Sequence, residues 1–199
     1  MMTINSILLE LARLIDLIPL STLAVLLGLG LAVPQIFGLA NPAAFGARVR
    51  KFPRSLSCGV VLMLFGTLWF VTCLNQESIA DFADYKPYLL AGFAAVGIAC
   101  CFFVQDFLAV RGLAVVALLL AKLMVDKARW AETDWRLVVV TWAYLLVAAG
   151  IWFTIYPWHL RDLLNWATAS EKRVRIGSAV RLAFGLVVAV LGFTVFRTA

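Results

Sequence analysis

The chain has 199 residues, 64% of them hydrophobic and 14% charged, with 17 Lys and Arg against 11 Asp and Glu; counted with glycine in place of tyrosine the apolar share is about 69%, where a soluble domain has about 45 to 50%. A domain this small leaves much of its surface exposed and has no interior able to hide that excess, while disorder, which accompanies low hydrophobicity and high net charge, is excluded by the same numbers. The composition implies an all-α, polytopic integral membrane protein, one membrane domain over 1–199, whose net charge of +6 meets anionic headgroups at helix ends and does not point to nucleic acid.

In chain order, the first segment places Ile4, Leu8, Leu11, Ile15 and Ile18 at helical spacing, with Glu10, Arg13 and Asp16 off that face. It reads as an interfacial helix, and its opening Met-Met-Thr-Ile-Asn-Ser has no basic n-region of a signal peptide. About 20 apolar residues are needed to cross a hydrocarbon core, and six stretches meet or approach that: Ile18–Phe37, Leu56–Leu74, Pro87–Phe103, Phe107–Val125, Leu137–Tyr156 and Ile176–Phe196. The third and fourth belong to a 39-residue apolar run. One helix of that length would extend about 58 Å at 1.5 Å per residue, so a tight turn is expected at Val104-Gln105-Asp106-Phe107.

Two connectors are amphipathic. Asn41 and Pro42 form a cap and first-turn pair, followed by Phe45, Val49 and Phe52 on one face; Leu160, Leu163, Leu164 and Ala167 repeat the pattern after Pro157. Both read as short interfacial helices. The first loop carries Arg48, Arg50, Lys51 and Arg54, the later one Arg161, Lys172, Arg173 and Arg175, while Glu77, Asp81 and Asp84 fall between the second and third spans. The positive-inside tendency puts both basic loops in the cytoplasm and both termini outside, in the periplasm if the membrane is a bacterial inner one, as the chain's size suggests. Lys127, Arg129 and Arg136 on the outer side run against this. Trp69, Tyr85, Tyr88, Trp130 and Trp135 form an outer aromatic belt and Trp152, Tyr156, Trp158 and Trp166 an inner one.

Proline, an Arg-Val-Arg triplet and a Gly-rich helix recur in hairpins 18–74 and 137–196, flanking a central hairpin 87–125. A parallel internal repeat accounts for this, as does convergence of any two membrane hairpins. Small residues at i, i+4 spacing mark packing faces: Ala24, Gly28 and Ala32; Ala91, Ala95 and Ala99; Gly185 and Ala189.

Chemistry-bearing residues are few. Ionisable groups within a span are functional candidates by default, and three cations qualify, Arg111, Arg181 and Lys122. They are candidate contacts for an anion or a lipid headgroup, with Asp106 as ion-pair partner of Arg111; snorkelling to the interface is the simpler alternative. The single His159, beside Trp158, reads as interfacial, and one histidine with scattered cysteines assembles neither a haem nor a zinc site. Cys58 and the vicinal Cys100 and Cys101 would lie at similar depth, open to a redox contact. No nucleophile elbow, phosphate loop or carboxylate pair is present, so neither an enzyme nor a cofactor is expected. The leading expectation is an accessory, scaffold or assembly subunit of a larger membrane complex, partnered by lipids and by other subunits or itself. The alternative is a small transporter or channel for an anionic solute.

Overall fold

A computed structural model describes residues 10, 13–15, 17–77 and 84–198; Ile4, Leu8, Leu11, Asp16 and Asp81 lie outside them. The described residues form helices and no strands: α1 (Leu20–Ala40), α2 (Pro42–Lys51), a 3-10 turn (Phe52–Arg54), α3 (Leu56–Gln76), α4 (Lys86–Phe103), α5 (Leu108–Ala128), α6 (Arg136–Ile155), α7 (Pro157–Ala167), α8 (Glu171–Phe193) and α9 (Val195–Thr198). Six of them, α1, α3, α4, α5, α6 and α8, are long and apolar enough to cross a membrane.

Local chemistry explains most boundaries. Asn41 Oδ1 accepts from the Ala44 amide at 3.2 Å with Pro42 in the first turn, which starts α2 where expected. Ser55 Oγ accepts from the Cys58 amide at 3.4 Å and opens α3. The turn at 104–107 is present, and Phe107 takes a left-handed conformation at φ 56°, a placement that costs a bulky residue about 1 to 3 kcal/mol. Its ring lies under the Arg161 guanidinium of α7, 5.9 Å from the centroid.

The sixth span departs from expectation. It begins at Glu171 and not at Ile176, because Ser170 Oγ accepts from the Arg173 amide at 3.3 Å and Glu171 sits at the positive end of the helix dipole. Hydrophobicity marks the apolar part of a helix and is blind to a capped, charged first turn. Pro34, at the inner end of the first apolar stretch, lies inside α1, whose helix runs on to Ala40.

Glycine sets the tightest packing. The most extensive interface joins the first and last spans, α1 and α8. A Cβ on Gly28 would lie 2.5 Å from the Gly185 carbonyl oxygen, and one on Gly185 2.6 Å from the Gly28 oxygen, so the two backbones touch directly. The expected stripes Ala24, Gly28, Ala32 and Gly185, Ala189 thus meet each other. α5 packs between α3 and α6: a Cβ on Gly59 would be 2.7 Å from the Ala109 nitrogen, and one on Gly150 2.8 Å from Leu118 Cγ. α4 leans on α3, through Gly97 against Thr67 and the Phe70–Phe93 ring pair at 5.0 Å.

The main core forms where α1, α5, α6 and α8 converge, around Leu23, Met124, Val139 and Val188; Trp142, near the start of α6, packs edge-on against Phe184 at 5.2 Å. A smaller core of Met63, Cys101 and Leu108 ties α3, α4 and α5 together. α2 and α7 meet at one end of the bundle. The two basic loops therefore share an end, as an even number of long helices between them, α3, α4, α5 and α6, requires.

The two hairpins with shared landmarks use them differently. Arg48-Val49-Arg50 belongs to the short helix α2, whereas Arg173-Val174-Arg175 lies in the opening turns of α8. The main contacts of their spans also run across hairpins, α1 to α8 and α3 to α5.

Candidate functional site

The three span cations occupy three different settings. Arg181 lies ten residues into α8, about 15 Å along its axis, and its Nη1 donates to Oε1 of Gln35 on α1 at 3.3 Å. Gln35 is 6% exposed. One turn away on the same interface, Ser178 is fully buried against Gly38, its Oγ without a hydrogen-bond partner. The α1–α8 seam thus buries two polar side chains, Gln35 and Ser178, and the exposed Arg181 reaches Gln35. Gln35 was not singled out in the sequence, although one amide within the apolar run of the first span was the available signal.

Arg111 sits in the first turn of α5, half-buried, and its Nε is buried with no hydrogen-bond partner among the described residues. Asp106 is exposed and forms no ion pair with Arg111 among the described residues. Asp106 lies in the turn before α5, beyond the left-handed Phe107, and five residues from Arg111 it is outside the i, i+3 and i, i+4 spacings at which helical side chains meet. Arg111 and Arg181 share no hydrogen-bond partner and line none of the clefts described below.

Lys122 is eleven residues further along α5, about 16 Å from Arg111, towards the opposite end of the bundle. Its Nζ donates to Asp126 at 2.8 Å and lies 3.8 Å from Glu77. With both carboxylates beside it, this cation is neutralised in place and does not join the other two. It borders a cleft of about 450 Å³ with Trp69, Gln76, Asp126, Lys127 and Trp130. An apolar cleft of about 340 Å³, lined by Phe65, Leu68 and Thr72, adjoins it across Trp69 and Leu123.

A third cleft, of about 560 Å³, opens at the basic end between α1, α2, α5 and α7. Phe37, Phe45, Phe52, Leu113, Leu160 and Leu164 line it, and Arg48 is its one charged residue. The Arg48 guanidinium lies 4.8 Å above the Phe37 ring.

His159 is exposed within an aromatic group at the start of α7: its ring centroid is 5.3 Å from Tyr156, 5.6 Å from Trp152 and 5.8 Å from Trp158, over which it stacks. Cys58, Cys73, Cys100 and Cys101 are free thiols; Cys101 is buried and donates to the Gly97 carbonyl at 3.5 Å. No group of three His, Cys, Asp or Glu side chains able to hold a metal ion occurs among the described residues.

No family model matches the chain, and neither a curated protein nor a solved structure is similar to it. The six-helix arrangement and the local chemistry above are what define it: an all-helical bundle with six candidate membrane spans.

Proposed function

We propose that the chain is a multi-pass protein of a bacterial inner membrane, with its termini in the periplasm, acting as an accessory, scaffold or assembly subunit of a larger membrane complex. The observation that carries this reading is α4. Of its central apolar stretch 11% is buried, against 44% for α5, and Ala91, Gly92 and Ala95 are all exposed. A Cβ on Gly92 would meet nothing within 4 Å. Large outward side chains suited to lipid tails, such as Tyr144, Leu145, Val180 and Val187, occur on the other helices and, as Phe93, Val96 and Phe102, on α4 beside this small-residue stripe. Small residues favour close approach of another helix, and here no helix of the described chain approaches.

The test is extraction in mild detergent followed by native electrophoresis. Wild type is expected to migrate with additional mass, another subunit or a second copy, and Ala91→Leu with Ala95→Leu to release it while the chain stays folded. A monodisperse single chain that moves solute in liposomes would overturn the reading. Orientation is checked by cysteine labelling at Arg48 and Asp84, expected to report opposite faces.

A second reading, transport of a small anion, draws on the unpartnered Nε of Arg111 and the Arg181–Gln35 contact inside the seam. Arg111→Leu with Arg181→Leu is then expected to abolish anion flux in liposomes without loss of expression; unchanged flux would retire it.

A further inference from the structure

The cleft at the basic end combines two properties. Its walls are apolar, from three phenylalanines and three leucines contributed by two long helices, two short amphipathic helices and the 3-10 turn. Its single charge, Arg48, is exposed at the mouth, with a π face as its recorded contact and no carboxylate within 4 Å among the described residues. The sequence around it, Asn41 to Ser55, contains no acid at all. An apolar cavity of a few hundred Å³ with one convergent polar group has the form of a small-molecule site, and the charge decides the class. In the cleft at the opposite end Lys122 is matched by Asp126 at 2.8 Å and Glu77 at 3.8 Å, with Lys127 as a second cation beside them. Arg48 is not matched.

We propose that this cleft seats one acyl chain of an anionic phospholipid whose phosphate pairs with Arg48. The guanidinium offers several N–H donors to a phosphate while its stem and the Phe37 ring continue the apolar wall. Phe45 and Phe52 from α2 and its following turn, with Leu160 and Leu164 from α7, enclose the first part of the chain; Leu113 of α5 forms the inner wall. The amphipathic helices α2 and α7 then act as the two sides of a lipid seat and not as anchors alone. The proposal rests on the membrane placement above but is independent of any protein partner, and a lipid titration of the purified chain tests it separately from co-purification.

The experiment is native mass spectrometry of the full chain in detergent, titrated with phosphatidylglycerol or with phosphatidylcholine carrying the same acyl chains. Wild type is expected to retain phosphatidylglycerol in preference. Arg48→Gln should weaken phosphatidylglycerol about fivefold, the size of one cation's attraction to an anionic headgroup, with phosphatidylcholine unchanged. Arg50→Gln, two residues away on α2 but outside the cleft, should leave the preference intact. Leu164→Trp, which fills the cavity, should weaken both lipids. Should Arg48→Gln bind phosphatidylglycerol as wild type does, or Arg50→Gln lose as much as Arg48→Gln, the attraction is diffuse and the site does not exist. Both arginine variants change exposed side chains, so their comparison stands even if the tryptophan variant fails to fold.

Discussion

Two long apolar helices, α1 and α4, meet opposite fates in this molecule. α1 contributes Gly28 to a contact with α8 so close that a Cβ there would lie 2.5 Å from a backbone oxygen; α4 carries Gly92, where a Cβ would meet nothing. Both have small residues at four-residue spacing. The difference lies in the partner: α8 presents Gly185 and Ala189 opposite the α1 stripe, and no described helix presents a matching face to Ala91 and Ala95. A small-residue stripe is thus an offer of contact whose acceptance depends on a second stripe. In lipid, where apolar surface alone drives no association between helices, that complementarity and its van der Waals contact decide which helices pair.

The comparison breaks most sharply at Gly28. Gly28→Leu forces α1 and α8 apart and is expected to destabilise the fold by about 3 kcal/mol, at the upper end of overpacking costs, read as a shift in denaturation by SDS titration; unchanged stability would mean that α1 and α8 do not touch as described. A smaller effect is expected at Gln35→Leu, which removes the acceptor for Arg181 and costs about 0.6 to 1 kcal/mol, the range for interhelical polar contacts in membranes. Loss of that contact is checked by the accessibility of a cysteine at Ser178, which should rise. The smallest effect belongs to α4: Gly92→Ala meets no neighbour and should leave stability unchanged or raise it by up to about 0.5 to 1 kcal/mol through helix propensity, as measured by the same titration. If Gly92→Ala instead costs as much as Gly28→Leu, α4 is packed in the isolated chain and the contrast fails. Combining Gly92→Ala with Gln35→Leu should give additive shifts, because the two sites lie on helices that share no extensive interface.

Much of this architecture was legible in the residues. The apolar stretches locate all six long helices within a few positions, since about 20 apolar residues is a length requirement that does not depend on neighbours. Asn41 and Pro42 locate α2, because a cap is satisfied within one turn. The early start of α8 was missed for the complementary reason: Ser170, Glu171 and Lys172 are polar and fall below any apolar threshold, although Ser170 followed by a charged turn is itself a start signal. The candidate site was less legible. Grouping Lys122 with Arg111 and Arg181 follows from residue type and depth, yet Lys122 is tied to Asp126 on its own helix and to Glu77 just past the end of α3. The Asp106 pairing rested on nearness in sequence alone, and across a turn that nearness does not fix where the side chains meet. The contact that does hold Arg181, with Gln35, spans 146 positions, and no local pattern carries information at that distance.

The amino-acid sequence by itself therefore determined what each segment must do alone: which stretches become long apolar helices, where caps and turns begin and end them, and which loops are basic. Those properties depend on interactions within a turn or two and on the solvent each segment prefers. Only the tertiary structure decided that α1 closes on α8, that Arg181 meets Gln35 while Lys122 meets Asp126 and Glu77, and that Arg48 stands at the mouth of an apolar cleft. Each of those needs two surfaces from distant parts of the chain to fit, and shape complementarity between helices is a property of the pair that neither member specifies.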